Sequence, residues 1–184
     1  MRIGVITESE GESRVAIAPS SIRKLSKAGY EVAIQEGAGN LSNYSDQDYS
    51  NAGAIVVDRE EALKSPFLIC IRFPEGVDFF EGQVIACIAD PFRHPERIKF
   101  CNSRKATLLS MDMIPRRLSR AQSMDVNSSQ DNLAGYKAVL LGASMVPKGI
   151  PMMTTSAGTV RPAKVVIMGS GVAGLQAIAT AKRL

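Results

Sequence analysis

No stretch of this 184-residue sequence approaches the ~18 consecutive apolar residues that a membrane-spanning helix needs, and residues 1–9 read as a strand rather than as a signal peptide. A role at a membrane would require another segment or another chain. There is no block of like charge and no interleaving of basic with aromatic side chains. The 22 Lys and Arg are spread against 18 Asp and Glu for a formal charge of +4, which disfavours nucleic acid as a partner. Only three cysteines occur, Cys70, Cys87 and Cys101, far apart and without CxxC or Cys/His ligand spacing. They read as reduced, buried thiols of a cytoplasmic protein, and no metal site is expected. The sole histidine, His94, precedes Pro95 at an expected helix start and reads as a solvated loop residue. Internal repeats and low-complexity segments are absent.

What is present is an alternation of strand-like and helix-like runs. Residues 2–7, 31–35, 54–57, 67–72, 83–88 and 106–110 are short and mostly rich in Val, Ile and Leu, as strands buried on both faces of a parallel sheet should be. Residues 19–29 carry apolar side chains at helical spacing and end at Gly29, giving a β-α-β unit. Residues 45–51, 58–64 and 95–105 read as further crossover helices. The fold class expected is α/β, a doubly wound parallel sheet of Rossmann-like type over residues 1–126. A linking helix over 127–146 follows, its periodic run spanning 132–145, with Ser128 and Asp131 expected to cap it. Pro147, Gly149 and Pro151 break the chain, and residues 152–159 read as a loop or short extended piece.

Residues 162–168 are expected to form a strand, followed by Gly169-Ser170-Gly171-Val172-Ala173-Gly174 and a helix over 175–184. In that context the glycine spacing has a physical meaning. Gly169 permits a tight turn, Gly171 lets a pyrophosphate approach the helix N-terminus together with Val172 and Ala173, and Gly174 allows close contact between helix and strand. The alternative is a glycine-rich turn used only for packing. A full dinucleotide site also needs an acidic residue ~20 positions farther on, beyond Leu184. Residues 147–184 are therefore expected to be the first β-α unit of a second, truncated Rossmann domain, incomplete or completed by another polypeptide.

Between residues 110 and 133 lies the stretch RRLSRAQSMDVNSSQDN, residues 116–132, dense in hydrogen-bonding side chains and free of glycine and proline. Taken alone, it reads equally well as a solvated surface loop.

Several stretches together resemble one family. Ser13-Arg14-Val15-Ala16-Ile17-Ala18-Pro19 and Glu36-Gly37-Ala38-Gly39 resemble the N-terminus shared by alanine dehydrogenase and proton-translocating NAD(P) transhydrogenase. Ser119-Arg120-Ala121-Gln122-Ser123-Met124-Asp125, Ser128-Ser129-Gln130, Asn132-Leu133-Ala134-Gly135-Tyr136, Met152-Met153-Thr154-Thr155 and Gly171-Val172-Ala173-Gly174-Leu175-Gln176-Ala177 resemble the transhydrogenase branch, specifically its NAD(H)-binding alpha subunit, or domain I.

That resemblance implies hydride transfer between NAD(H), bound here, and NADP(H), bound on a separate domain, coupled to proton movement by a membrane component. It implies a homodimer with NADP(H)-binding and proton-channel partner subunits, peripheral to the inner membrane on the cytoplasmic or matrix side. The family's polar loop sets Arg, Gln and Asp against the nicotinamide and its ribose, with a serine just after. Carried over, these are Arg117, Gln122, Asp125 and Ser128, with Arg116 an equal candidate because Pro115-Arg116-Arg117-Leu118 holds one arginine more than the family pattern. Asn127 replaces an aliphatic residue and Cys70 stands where transhydrogenases often keep a lysine. Tyr136 matches a tyrosine near the site, although its spacing also suits core packing. Hydride transfer needs orientation rather than a protein acid or base, which suits these residue types.

Two other functions are weighed. Arg14 matches an arginine that meets the substrate carboxylate in alanine dehydrogenase, but Arg72 and Asp90 stand where that enzyme has a lysine and a histidine, so amino-acid dehydrogenation is disfavoured. A degenerate or truncated non-catalytic subunit stays as the alternative, and this chain alone is expected to lack turnover.

Overall fold

The computed structural model describes residues 1–184, and the chain divides into two compact units, Met1–Pro115 and Arg116–Leu184. In the first unit, strands β1 (Arg2–Val5), β2 (Glu31–Gln35), β3 (Ile55–Val57), β4 (Phe67–Arg72), β5 (Val84–Ile88) and β6 (Thr107–Ser110) form one sheet in the order β3-β2-β1-β4-β5-β6. Every pairing is parallel, so the doubly wound sheet expected from the apolar runs is the one formed.

Helices α1 (Pro19–Lys27) and α2 (Asp46–Ala52) connect β1 to β2 and β2 to β3, while α3 (Arg59–Leu63) and α4 (Pro95–Ser103) lead into β4 and β6. Two apolar clusters result. Ile3, Val5, Val32 and Ile34 pack with Ile22 and Tyr49 from α1 and α2, and Leu68, Cys70, Ile85 and Cys87 pack with Ala62 and Cys101 from α3 and α4. Alternate residues of each strand thus serve opposite faces. α3 packs tightly on Gly4 of β1: a Cβ there would lie 2.4 Å from the Ala62 carbonyl oxygen. The β4–β5 crossover has no helix. Phe73, Val77 and Phe79 from that connection fill the space instead, with Phe73 and Phe79 edge to face at 5.8 Å.

Local caps explain the boundaries. Ser45 and Asp48 form a reciprocal capping box on α2, which stops at Gly53 with φ +98°. Asp58 caps α3 through the Glu61 N–H at 2.7 Å. All three cysteines are buried and unpaired, as their spacing suggested.

The second unit contains α5 (Val126–Met145), a hairpin of β7 (Met153–Thr155) with β8 (Gly158–Val160), and α6 (Val172–Arg183) packed on α5. Several expectations change here. The linking helix, expected over 127–146, spans Val126–Met145, but its cap is Asp125 rather than Ser128: the Asp125 carboxylate accepts from the Ser128 N–H at 2.9 Å. Asp131 instead faces Arg116. Of the two forms expected for residues 152–159, the short extended one is found, as most of a hairpin. The strand expected over residues 162–168 does not form, because no neighbouring strand offers it a hydrogen-bond ladder; it runs as irregular chain with Val166 83% and Met168 97% exposed. The helix after it begins at Val172, not at residue 175. Residues 116–125 fall in the second unit, so the structural division precedes residue 126, and the stretch 119–124 is a 3-10 turn. No helix is long and apolar enough to cross a membrane.

Candidate functional site

The second unit gathers the residues singled out in the sequence into two groups joined by one helix pair. The first is the glycine turn. Gly169 has φ +123°, a region that disfavours any residue with a Cβ. A Cβ on Gly174 would stand 2.1 Å from the Gly169 carbonyl oxygen, so the third glycine lets the helix close onto the turn. Gly171 differs: it is the N-cap of α6, no side chain caps the helix, and a Cβ there would meet nothing within 4 Å. The space in front of it is open, and the first-turn N–H groups of Val172, Ala173 and Gly174 have no intrahelical acceptor. Such an end favours an anion.

The second group surrounds the N-terminus of α5. Asp125 receives both the N–H and the hydroxyl of Ser128, and its side chain is only 10% exposed. These bonds, with the Arg116 guanidinium, hold its carboxyl below the usual carboxylate range. Arg116 reaches Asp125 at 3.8 Å and Asp131 at 3.7 Å. Arg117 and Gln122 are exposed, and only the Gln122 backbone carbonyl engages this group, accepting from the Asp125 N–H at 3.3 Å. The structure therefore brings Asp125, Ser128 and Arg116 together and leaves the Arg117 and Gln122 side chains turned to solvent.

Gly135 joins the two groups, a residue whose role sequence reasoning missed. It is the buried residue of α5, and a Cβ there would collide with the Ala173 carbonyl oxygen at 2.1 Å. An isolated glycine inside an otherwise helical run was the available signal. Tyr136 is 47% exposed rather than packed in a core.

In the first unit, the residues aligned with amino-acid chemistry are otherwise engaged. Glu12, its side chain 5% exposed, takes Arg14 bidentately at 2.7 Å and Arg72 at 3.0 Å. Arg14 is chiefly responsible for lowering the Glu12 pKa to about 2. Asp90 pairs with Arg93 at 3.6 Å. His94 lies at the start of α4 against Glu96 at 2.9 Å, 42% exposed, as a solvated helix-start residue should be.

A doubly wound parallel sheet followed by a glycine turn and its helix defines a chain of the dinucleotide-binding α/β class. Residues 4–134 match the family Alanine dehydrogenase/PNT, N-terminal domain, and residues 138–184 match Alanine dehydrogenase/PNT, C-terminal domain. The chain belongs to the alanine dehydrogenase/PNT family.

Over its full length it is 43% identical to the first of the numbered parts of NAD(P) transhydrogenase subunit alpha from Rhodospirillum rubrum, covering 50% of that protein. It is 28% identical to the alanine dehydrogenase of Methanococcus maripaludis, over 96% of this chain and 49% of that one. A crystal structure of transhydrogenase from Sinorhizobium meliloti superposes on the whole chain with a TM-score of 0.95 at 42% identity, matching 56% of that chain. An L-alanine dehydrogenase structure gives 0.86 at 27% identity, with all of this chain and 52% of that one covered. The chain thus spans about half the length of these relatives.

Proposed function

We propose that this chain is the N-terminal part of the NAD(H)-binding component of a proton-translocating NAD(P) transhydrogenase. The observation that carries this reading is the polar start of α5 held to the glycine turn through Gly135 and Ala173, in a chain 43% identical throughout to a transhydrogenase alpha-subunit polypeptide. Its second unit is then the opening of the NAD-binding domain.

The residues present fit such a cofactor, since Gly171 leaves open space before unsatisfied helix N–H groups. A bound nicotinamide supplies the redox chemistry, a hydride passed to or from NADP(H) held on a separate domain. The N–H groups of Val172, Ala173 and Gly174 would hold the diphosphate, and Gly169 shapes the turn that presents them. The nicotinamide end would be met by the polar residues at the start of α5. There Gln122, Asp125, Ser128 and Arg117 orient carboxamide and ribose, while Arg116 stays with Asp125 as its positioning partner. Their contribution is orientation, which converts an encounter of two rings into a near-attack arrangement.

The same reading gives a homodimer, with NADP(H)-binding and proton-channel subunits as partners, peripheral to the inner membrane on its cytoplasmic or matrix side. The relatives from R. rubrum and Rickettsia prowazekii are named as the first portion of a divided alpha subunit, which supports further subunits. Amino-acid dehydrogenation is disfavoured by the engagement of Arg14 and Arg72 with Glu12 and by Asp90 in place of an imidazole.

A second reading is a non-catalytic remnant that binds nucleotide weakly or serves as a subunit contact; the exposed Arg117 and Gln122 side chains, which make no contact with the Asp125 group, favour it.

NADH fluorescence titration separates the two. We expect a chain extended to the length of the R. rubrum relative to bind at least about tenfold tighter than this one, a difference of ~1.4 kcal/mol, and Gly171→Ala in it to lose that affinity with only the small loss of stability that a poorer N-cap brings. Equal, tight binding by the short chain would overturn the claim that its pocket is partial, and failure of both would remove the NAD(H) assignment.

A further inference from the structure

The sheet order β3-β2-β1-β4-β5-β6 reverses between β1 and β4, and ligands of open α/β sheets bind outside the carboxyl ends of the strands at such a point. In the first unit that point is a crevice of about 290 Å³ lined by Thr7, Glu8, Gln35, Arg59, Cys70 and Arg72, among others. β1 ends at Val5 opposite Ile69, and the β4–β5 register shifts between Ile69 and Arg72. The backbone N–H groups of Ile71 and Arg72 are thereby left to another acceptor. Glu8 takes both: one carboxylate oxygen accepts from Ile71 at 2.6 Å and the other from Arg72 at 3.1 Å.

One strand farther, Asp112 does the same to the N–H groups of Ala89 and Asp90, at 3.1 Å each. Two successive carboxyl ends of the sheet thus offer paired backbone donors, and each pair is filled by a carboxylate of the chain itself. Paired backbone donors make an anion-binding concavity. At the switch point they lie in a crevice whose rim carries the Arg59 guanidinium, fixed by the Gln35 side chain at 3.2 Å and the Thr7 carbonyl. The opening is too small for a dinucleotide and sufficient for a small oxyanion.

We propose that Glu8 is a built-in anion that closes a small-oxyanion site in the first unit, and that this contact makes Glu8 the residue excluding such ligands from the crevice. The reading stands independently of what the second unit binds. Its consequence is a gain of binding on loss of a side chain, whereas a carboxylate that only supported the fold would give loss alone.

The test titrates inorganic phosphate into the full 184-residue chain and its Glu8→Ala, Glu8→Ser and Glu8→Gln variants, following backbone amide resonances. We expect saturable shifts of Ile71 and Arg72 in Glu8→Ala with an affinity at least about tenfold above the parent, abolished when Arg59→Ala is added. Should Glu8→Ala fail to fold, Glu8→Ser, which likewise vacates the space before the two N–H groups, is read by the same criterion, while Glu8→Gln, which keeps the side-chain shape, should gain far less. A folded Glu8→Ala or Glu8→Ser without saturable shifts at these two amides, or a parent that shifts equally, overturns the proposal.

Discussion

Gly135, midway along α5, lies against the backbone of Ala173 in the first turn of α6, where a Cβ would stand 2.1 Å from the Ala173 carbonyl oxygen and 3.0 Å from its Cα. Helix propensity alone would make Gly135→Ala stabilising by ~1 kcal/mol. The collision is with backbone, which cannot rotate away, and overpacking of this kind costs about 1–3 kcal/mol. We expect net destabilisation in denaturant unfolding followed by far-UV circular dichroism, together with weaker NADH binding in the extended chain. A stabilised variant would show that the two helices part freely.

Asp125 both caps α5 and, in the proposed function, meets the nicotinamide end. The two roles separate by substitution. Asp125→Ala removes the cap, at about 0.5–2 kcal/mol, whereas Asn is as good a cap as Asp. Asp125→Asn should therefore melt within a few degrees of the parent while NADH affinity in the extended chain falls about tenfold or more, since a hydrogen bond to a charged group contributes ~1.5–3 kcal/mol. Unchanged affinity in Asp125→Asn would leave Asp125 with the cap alone.

Glu12 predicts an acid limb of stability. Its pKa falls from 4.5 to about 2 on folding, so its contribution is fully present above about pH 4.5 and is lost as pH drops towards 2. With the carboxylate 5% exposed, that contribution is on the order of 3 kcal/mol. Glu8 acts in the opposite sense, because burial raises its pKa and protonation then favours the folded state. The difference between parent and Glu12→Gln, measured by urea unfolding from neutral pH down to about 2, isolates the Glu12 part. It should shrink across that interval, and a difference independent of pH would remove the ion pairs as its source.

The three thiols should be silent in the native chain. Burial pushes Cys87 up to about 12 and raises Cys70 and Cys101 as well, and only a thiolate reacts. A thiol reagent at neutral pH should label none of them until denaturant is added, and then all three. Rapid labelling of the folded protein would contradict the packing around β4, β5 and α4.

The sequence by itself determined the parallel sheet, since runs of Val, Ile and Leu such as Val-Ile-Ala-Cys-Ile in β5 suit only strands buried on both faces, and the intervening helical runs require crossovers. It also determined the glycine turn, because Gly169, Gly171 and Gly174 lie where sterics demand or permit glycine, and family resemblance singled out Asp125 and Ser128, which the fold brings together. Tertiary structure decided what depends on partners distant in sequence. Residues 162–168 have strand-forming side chains yet no strand, because a strand exists only through its ladder. Arg116 rather than Arg117 faces Asp125, a choice between identical side chains that geometry alone can make. Glu8, unremarkable in a polar turn, fills the crevice at the end of β4 across a sequence separation of 63 residues. No local pattern encodes such a contact, because it forms only when β1 and β4 lie side by side in the folded sheet.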